Sequence, residues 1–316
     1  MKGASFAKGV GEWIGAAEVY DNSGRFAGMG HDHRTVKADD NAGTVTVAVS
    51  FAGPFSLTGE YTIVDHGSYR RYLGPLNLGY AEALGDGLVA AHNYWPDLGL
   101  SQRFFLMVLP DGSKQLSLAL LSRGEELVWT VVGEYQRQTD PNAANPPGVP
   151  LLDPSEIGDD PNAGRGEVLL FRPGRWVGKL QHCDANLEPT GEAPFLETVN
   201  FVSGARNETR NTQQQTINVQ VSGLEFSADA QYALASDGTS VWCAADGLSG
   251  SATLRGGRAL SGQFHHHSDG LRVWRREVAC VDGTNKAVLH LWYRGEALLG
   301  GSYGVLNFQP EGTNRE

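Results

Sequence analysis

An internal repeat constrains the fold of this chain more than any other feature of its sequence. The segment GEWIGAAEVYD at 11–21 is echoed by GRWVGKLQHCD at 174–184, at an offset of 163 residues. Further along, SRGEELV at 122–128 matches YRGEALL at 293–299 at an offset of 171. The larger second offset is what a loop insertion in the second copy would produce. We therefore expect two copies of one fold in tandem.

The segment between the copies has a composition that disfavours packing. TDPNAANPPGVPLLDPSEIGDDPNAG, at 139–164, contains six prolines and five acidic residues. Proline fixes the backbone and lacks a hydrogen-bond donor, so a segment of this kind tends to remain extended. We predict a first repeat at 1–139, a proline-rich acidic linker at 140–165 and a second repeat at 166–316.

Both copies alternate apolar and polar residues with the period of a β-strand. TVTVAVSF at 44–51 places three valines and a phenylalanine on one face, and TINVQVS at 216–222 repeats the alternation. Turn signals such as PDGS, SDGT and VDGT punctuate both copies, as in hairpins. The sequence predicts an all-β fold of two antiparallel β-barrels with about eight to ten strands each, because closing a sheet removes its unpaired edges.

The charge balance limits the classes of partner. The 316-residue chain has a net charge of −11 at pH 7, which argues against binding to nucleic acid or to an anionic membrane. The sequence lacks the long apolar stretch of a membrane span, and the start MKGASFAKGVGEW lacks the apolar core of a signal peptide. We expect a cytoplasmic protein with free cysteines and a hydrophobic small-molecule partner, and allow for a homodimer.

A short motif shared by the two copies carries a resemblance to a known superfamily. Each copy has a Gly-x-Trp on its first strand, at Trp13 and Trp176, and an arginine near a later strand end, Arg123 and Arg294 respectively. A guanidinium across an indole is a favourable cation–π contact. The motif resembles that of the calycin superfamily of lipocalins and fatty-acid-binding proteins. The resemblance implies two lipocalin-like barrels, as in two-barrel natural-product cyclases and carotenoid hydratases, and an apolar ligand.

Three consecutive histidines in the second copy have a counterpart in the first. QFHHHSDGL at 263–271 aligns with HNYWPDLGL at 92–100 at the offset of 171. On an extended strand one face carries His92 and Tyr94, and the other carries Asn93 and Trp95. Apolar neighbours favour the second face as the inner one, whereas a polar ligand cavity favours the first, so both orientations stay open.

The candidate site residues are polar or aromatic side chains that cluster around these two segments. Imidazole suits acid–base chemistry near neutral pH because its ordinary pKa lies near 6.5. The predicted catalytic residues are His92, Tyr94, His265 and His267. The predicted substrate-binding residues are His66, Tyr69, Tyr80, Asn93, Trp95, Arg103 and His266.

Alternating histidines also raise the question of a metal site. His265 and His267 form one such pair, and His31 and His33 form another in the first copy. Neither pair has a third ligand at the spacing of a known zinc motif. We expect no metal site and no cofactor, with haem or a divalent metal as the minor alternative.

Two functional hypotheses of different class follow. The first is a cofactor-independent cyclase, isomerase or lyase that acts on an aromatic or polyene molecule in a biosynthetic pathway, with His and Tyr as acid–base groups. The second is a non-catalytic carrier or sensor of such a molecule, with haem as one candidate ligand. The sequence contains no nucleophile elbow, P-loop or dinucleotide-binding motif that would favour covalent hydrolysis, nucleotide hydrolysis or dinucleotide redox chemistry.

Overall fold

The computed structural model describes residues 7–39, 41–67, 69–82, 84–139, 152–207, 212–227, 229–245 and 247–311, with the backbone alone at 201–207 and 212–214. These residues form two closed antiparallel barrels in tandem. The prediction of an all-β fold with two lipocalin-like repeats is therefore confirmed. No helix in the described part of the chain is both long and apolar enough to cross a membrane.

The first barrel is an up-and-down meander in which each strand pairs with the next and the last pairs with the first. Its strands are β1 (Gly11–Tyr20), β2 (Phe26–Asp39), β3 (Thr44–Ala52), β4 (Ser56–Asp65), β5 (Tyr69–Leu73), β6 (Leu78–Glu82), β7 (Leu88–Trp95), β8 (Leu100–Val108), β9 (Lys114–Arg123) and β10 (Glu126–Arg137). Closure leaves no edge strand whose backbone groups would lack partners.

The second barrel repeats this topology. Its strands are β11 (Gly174–Asp184), β12 (Pro189–Asn207), β13 (Thr212–Ser222), β14 (Ala230–Ser236), β15 (Ser240–Ala245), β16 (Leu248–Arg255), β17 (Ala259–His266), β18 (Leu271–Ala279), β19 (Asn285–Arg294) and β20 (Ala297–Pro310). Val199 pairs with Val219 where the first barrel pairs Val36 with Val47. The additional residues of the second copy therefore lie in the β12–β13 hairpin.

The apolar faces predicted from the alternating segments lie in the barrel cores. Val45, Val47 and Phe51 are buried in the first barrel, as are Ile217 and Val219 in the second. The residues between them along each strand are less buried, because successive side chains of a strand point to opposite faces.

A tryptophan closes one end of each barrel, but its arginine partner differs from the one predicted. Trp13 is fully buried, its indole nitrogen donates to the Gly9 carbonyl at 2.8 Å, and the Arg137 guanidinium lies 4.4 Å from its ring centroid. Arg137 is opposite Trp13 in the β1–β10 ladder, whereas Arg123 is exposed at the far end of β9. The prediction of Arg123 was therefore wrong.

The second barrel differs from the prediction in the same way. Arg172, just before β11, lies 5.8 Å from the Trp176 ring centroid and 3.5 Å from that of Phe308. The predicted partner Arg294 is exposed at the opposite end of β19, where it pairs with Ala297. In both copies the arginine lies in a segment next to the tryptophan: Arg137 ends β10, and Arg172 comes just before β11. The spacing of the strands along the sequence does not show this proximity.

The chain divides into two compact units, Met1–Asp160 and Pro161–Glu316. Residues 140–151 of the predicted linker lie outside the described residues. The remainder includes a short helix, α1 (Pro154–Ile157), whose first turn is capped by the Asp153 side chain. Arg165 donates from Nη1 to the Gly256 carbonyl at 3.0 Å.

Candidate functional site

The first barrel has an interior cavity that is partly open to solvent, and its empty volume of about 600 Å³ includes that open space. Its wall is mainly apolar and aromatic. The cavity extends from the charged pair Asp32 and Arg34 to the turns that contain Phe55 and Leu98. The residues that line it include Asp32, Arg34, Phe51, Tyr61, Asn93, Trp95, Gln102, Ser117, Ala119 and Tyr135. A concave apolar wall with a few polar groups is the usual form of a small-molecule site.

A buried ion pair forms the polar end of this cavity. Asp32 and Arg34 share the inner face of β2 because they are two residues apart. Arg34 donates from Nε to both carboxylate oxygens of Asp32, at 3.1 and 3.0 Å, and from Nη2 to the Tyr135 hydroxyl at 3.0 Å. Burial disfavours the charge of Arg34, but the Asp32 carboxylate outweighs it, so the pKa of Arg34 lies above its ordinary value. The opposite charges of Arg34 and Asp32 cancel, so the pair as a whole is neutral.

Close packing at this end depends on a glycine of the repeated Trp-x-Gly motif. Gly15 is opposite Tyr135 in the β1–β10 ladder. A Cβ atom at Gly15 would lie 2.7 Å from Cδ1 of Tyr135 and 2.2 Å from the Glu134 carbonyl oxygen. Only glycine leaves the Tyr135 ring room to reach Arg34, whose guanidinium lies 4.5 Å from the ring centroid.

Two tyrosines in the cavity remain protonated hydroxyls well above neutral pH. Burial raises the pKa of Tyr61 to about 12. Burial also raises the pKa of Tyr135, although the positive charge of Arg34 acts in the opposite direction. Both hydroxyls are therefore hydrogen-bonding groups rather than sources of a proton at pH 7.

Aromatic side chains line the cavity beyond the ion pair. Trp95 lies edge-on to Tyr61, with ring centroids 6.0 Å apart, and Phe51 stacks on Phe55 at 4.7 Å. The Trp95 indole nitrogen donates to Oε1 of Gln102 at 2.9 Å. Asn93 also donates to that oxygen, at 3.3 Å, while its own Oδ1 is buried with no hydrogen-bond partner among the described residues.

The predicted catalytic residues of the first barrel lie on its outer face. Tyr94 is 45% exposed, and His92 stacks on exposed Tyr80 with ring centroids 5.2 Å apart. Nε2 of His92 is 3.6 Å from Oε1 of Glu82. The alternation of β7 places their neighbours Asn93 and Trp95 inside the barrel, so His92 and Tyr94 do not line the cavity.

Four residues predicted to bind substrate also lie outside the cavity. Exposed His66 stacks on Tyr69, which is 43% exposed, with ring centroids 4.9 Å apart. Tyr80 is 49% exposed, and Arg103 is exposed opposite His92 on β8. These side chains form an aromatic and basic outer surface on β5 to β8 and the turn before β5. A role for them in ligand binding stays a prediction.

The second barrel contains a smaller cavity, and its empty volume of about 350 Å³ includes space open to solvent. His266 lines it and lies 5.2 Å from Trp292, measured between ring centroids. His265 and His267 point outward and are exposed, and Nε2 of His267 is 2.8 Å from the Ser249 hydroxyl. Of the three consecutive histidines, only His266 therefore contributes to the cavity wall.

A buried ionic cluster lies beside this cavity. Arg275 donates to Oε1 of Glu277 at 2.8 Å and to Oε2 of Glu197 at 3.0 Å, and Lys286 donates to Oε2 of Glu277 at 2.8 Å. Burial disfavours the charged form of Glu277, but Arg275 and Lys286 outweigh it and hold its pKa well below the ordinary value. Two cations and two carboxylates balance, which makes burial of this cluster tolerable.

A pattern in the sequence could have predicted both buried ion pairs. Asp32 and Arg34 are two residues apart on β2, and Arg275 and Glu277 are two residues apart on β18. Opposite charges at this spacing share one face of a strand and can pair. His31 and His33, on the outer face of β2, are also polar, so hydropathy does not distinguish the buried charged residues from their exposed neighbours.

The histidines considered for a metal site are not gathered around a common point. His33 is half-exposed on the outside of the first barrel, with Nε2 2.7 Å from Oε1 of Glu12. In the described ranges, no group of three or more His, Cys, Asp or Glu side chains is arranged to hold a metal ion.

The two closed barrels and their interior cavities define the chain as a tandem calycin-like β-barrel protein. It is similar to the crystal structure of a protein of unknown function from the DUF3598 family of Nostoc punctiforme, with 12% sequence identity and a TM-score of 0.55. The match covers 98% of this chain and 99% of that chain. At this identity the likeness establishes the fold alone.

A second similar structure is the S-type phycobiliprotein lyase CPES from Guillardia theta, at 11% identity and a TM-score of 0.33. That match covers 43% of this chain and 91% of the lyase. The TM-score is too low to support an argument about function. No protein-family model matches the sequence, and no curated protein matches it significantly.

Proposed function

We propose that the protein binds a hydrophobic, largely aromatic small molecule in the first barrel. The observation that carries this proposal is the first-barrel cavity, with aromatic side chains along its wall and a buried polar group at one end. Burial of apolar ligand surface against the wall would supply most of the binding free energy.

The charge balance of the polar end indicates a neutral ligand. Asp32 already neutralises Arg34 through three hydrogen bonds, so a ligand carboxylate would find no uncompensated cation. A carbonyl or hydroxyl group could instead exchange hydrogen bonds with Tyr61 and Ser117. A neutral aromatic ketone or phenol is the class that fits this wall, because burial of an unpaired charge is costly.

Binding without chemistry is the hypothesis that the first cavity supports best. No histidine is among the described residues that line it, and its tyrosines keep their protons at neutral pH. Proton transfer near neutral pH needs a group with a pKa close to that pH. The cyclase, isomerase or lyase hypothesis therefore depends on the second barrel, where His266 lines the cavity.

Nile red, a neutral aromatic ketone dye, tests the first-barrel proposal. Ala119 lines the cavity, and Ala119→Phe would fill it, so we expect at least a tenfold loss of dye affinity by fluorescence titration. The matched control Ala52→Phe adds the same group at an exposed position of β3 and should bind as the wild type does. Equal affinity of the wild type and Ala119→Phe, with both folded by circular dichroism, would contradict the proposal.

Mass analysis of the purified protein provides an independent test. Extraction with organic solvent should release a neutral aromatic or polyene compound from the wild type and much less from Ala119→Phe. A haem absorption band would instead support the carrier hypothesis in its haem form.

A further inference from the structure

The second cavity contains a histidine whose tautomer is fixed by its neighbours. Ser227 Oγ donates its single proton to Oδ2 of Asp269 at 3.1 Å, because a carboxylate oxygen can only accept. The same Oγ lies 3.2 Å from Nδ1 of His266. Ser227 has no second proton to give, so it accepts from Nδ1–H. A neutral His266 therefore carries its proton on Nδ1 and its lone pair on Nε2.

The Nε2 atom of His266 is left available to a ligand. His266 is 9% exposed and lines the cavity, and Nε2 has no hydrogen-bond partner within the described ranges. Burial lowers the pKa of His266 below its ordinary value, and the positive charge of Arg275 acts in the same direction. Nε2 is therefore a hydrogen-bond acceptor at neutral pH rather than an N–H donor.

Two other side chains of the cavity, Trp292 and His290, have buried polar groups that a ligand could satisfy. The Trp292 ring lies beside His266, and Trp292 is 1% exposed with an indole N–H that has no acceptor among the described residues. His290 is 3% exposed; its Nε2 lies 3.8 Å from Oε1 of Glu277, beyond hydrogen-bond distance, and its Nδ1 has no hydrogen-bond partner in the described part of the chain. Buried polar groups without partners are rare and costly in native proteins, so a ligand or water is needed to satisfy them.

We propose that the second cavity is a distinct binding site for a planar aromatic molecule with a hydroxyl group, which donates a hydrogen bond to Nε2 of His266. Phe264 and Trp292 supply apolar contact for the ring. Asp269 acts through Ser227 as a positioning residue, since it keeps Nε2 free of a proton. The site has a location equivalent to that of the first-barrel cavity but a different chemistry, because no histidine is among the described residues that line the first cavity.

A matched pair of probes tests the proposal. The hydroxyl of 2-naphthol can donate to Nε2, whereas its methyl ether, 2-methoxynaphthalene, cannot. We expect the full-length wild type to bind 2-naphthol about tenfold more tightly than the ether, as for one buried hydrogen bond. His266→Phe, which keeps an aromatic ring beside Trp292, should abolish that preference. His265→Phe, on the adjacent outward position, should retain it.

The nitrogen-15 signal of the His266 imidazole reports on the second barrel alone. The signal that disappears in His266→Phe should show the Nδ1–H tautomer in the free protein and should shift on addition of 2-naphthol. Ser227→Ala should remove the tautomer preference, whereas the control Ser249→Ala, beside outward-facing His267, should not.

The proposal is overturned if the wild type binds the two probes equally or binds neither, or if the His266 signal is that of the Nε2–H tautomer. The titrations are repeated in the Ala119→Phe background, which fills the first cavity, because that cavity could also take a phenol. The proposal is overturned if a folded His266→Phe keeps the preference for 2-naphthol in that background. With the first cavity filled, each proposal can fail without the other.

Discussion

Trp95 and His266 occupy the same position in the two barrels. Each is the last residue of its strand, each pairs with a leucine that begins the next strand, and each side chain lines the interior cavity. The repeat has thus kept one cavity position while placing an indole in one barrel and an imidazole in the other. We infer that the two cavities select different ligands.

The first prediction concerns the Trp95 side of this pair. Trp95→Leu removes the edge-on contact with Tyr61 and the hydrogen bond to Gln102, so we expect about a tenfold loss of Nile red affinity by fluorescence titration. Tyr94→Leu changes the exposed neighbour on the opposite face and should leave the affinity unchanged. The reverse ranking would place the ligand on the outer surface, with the predicted catalytic residues His92 and Tyr94.

The second prediction concerns the arginine that covers Trp13. Arg137→Ala removes the cation–π contact and hydrogen bonds to the carbonyls of Gly112 and Val10, and should lower the free energy of unfolding by about 2 kcal/mol. Arg123→Ala, at an exposed site, should change it by less than about 0.5 kcal/mol. Urea denaturation followed by tryptophan fluorescence measures both, and equal effects would contradict the assignment.

The third prediction separates the two members of the buried ion pair. Asp32→Asn leaves the Arg34 charge uncompensated inside the barrel, and Arg34→Met does the same for the carboxylate of Asp32. Each should lower the free energy of unfolding by about 3 kcal/mol or more, since breaking a buried pair is strongly destabilising. The double variant should lose less than the sum of the two, by about 1–3 kcal/mol. Strict additivity in chemical denaturation would show that the charges do not interact.

The fold could be predicted because its main signals repeat. The Trp-containing motif occurs twice, and the alternating segment around Val47 occurs again around Val219, with both valines in the barrel cores. The end-capping arginines could not be predicted, because Arg137 reaches Trp13 across a ladder between the first and last strands of its barrel. Pairings between residues so distant in the sequence leave no local pattern.

Hydropathy did not decide the inner face of every site strand. Some strands carry polar residues on both faces: on β2, Asp32 is buried between the exposed His31 and His33. On β5, Arg70 and Tyr72 are buried while Arg71 between them is exposed. On β7 the apolar neighbours favoured the face of Asn93 and Trp95, which does line the cavity. A polar ligand cavity would have favoured the opposite face, so the sequence left both orientations open.

The last prediction concerns stability at high pH. Tyr61 and Tyr232 hold equivalent positions, on β4 and β14, and burial raises the pKa of each to about 12. In the unfolded chain a tyrosine has a pKa near 10, so between about pH 10 and 12 the unfolded state loses its protons first. Stability is therefore fully present below about pH 10 and falls as the pH rises to 12, by about 2 kcal/mol for each tyrosine.

Urea denaturation between pH 9 and 12 measures this loss of stability. Phenylalanine has no proton to lose, so the double variant Tyr61→Phe and Tyr232→Phe should lose less stability over this range than the wild type. Exposed Tyr69 and Tyr94 provide the matched control, and Tyr69→Phe with Tyr94→Phe should leave the pH dependence unchanged. A wild-type stability that is constant from pH 9 to 12 would mean that the two buried hydroxyls ionise as readily in the barrels as in water.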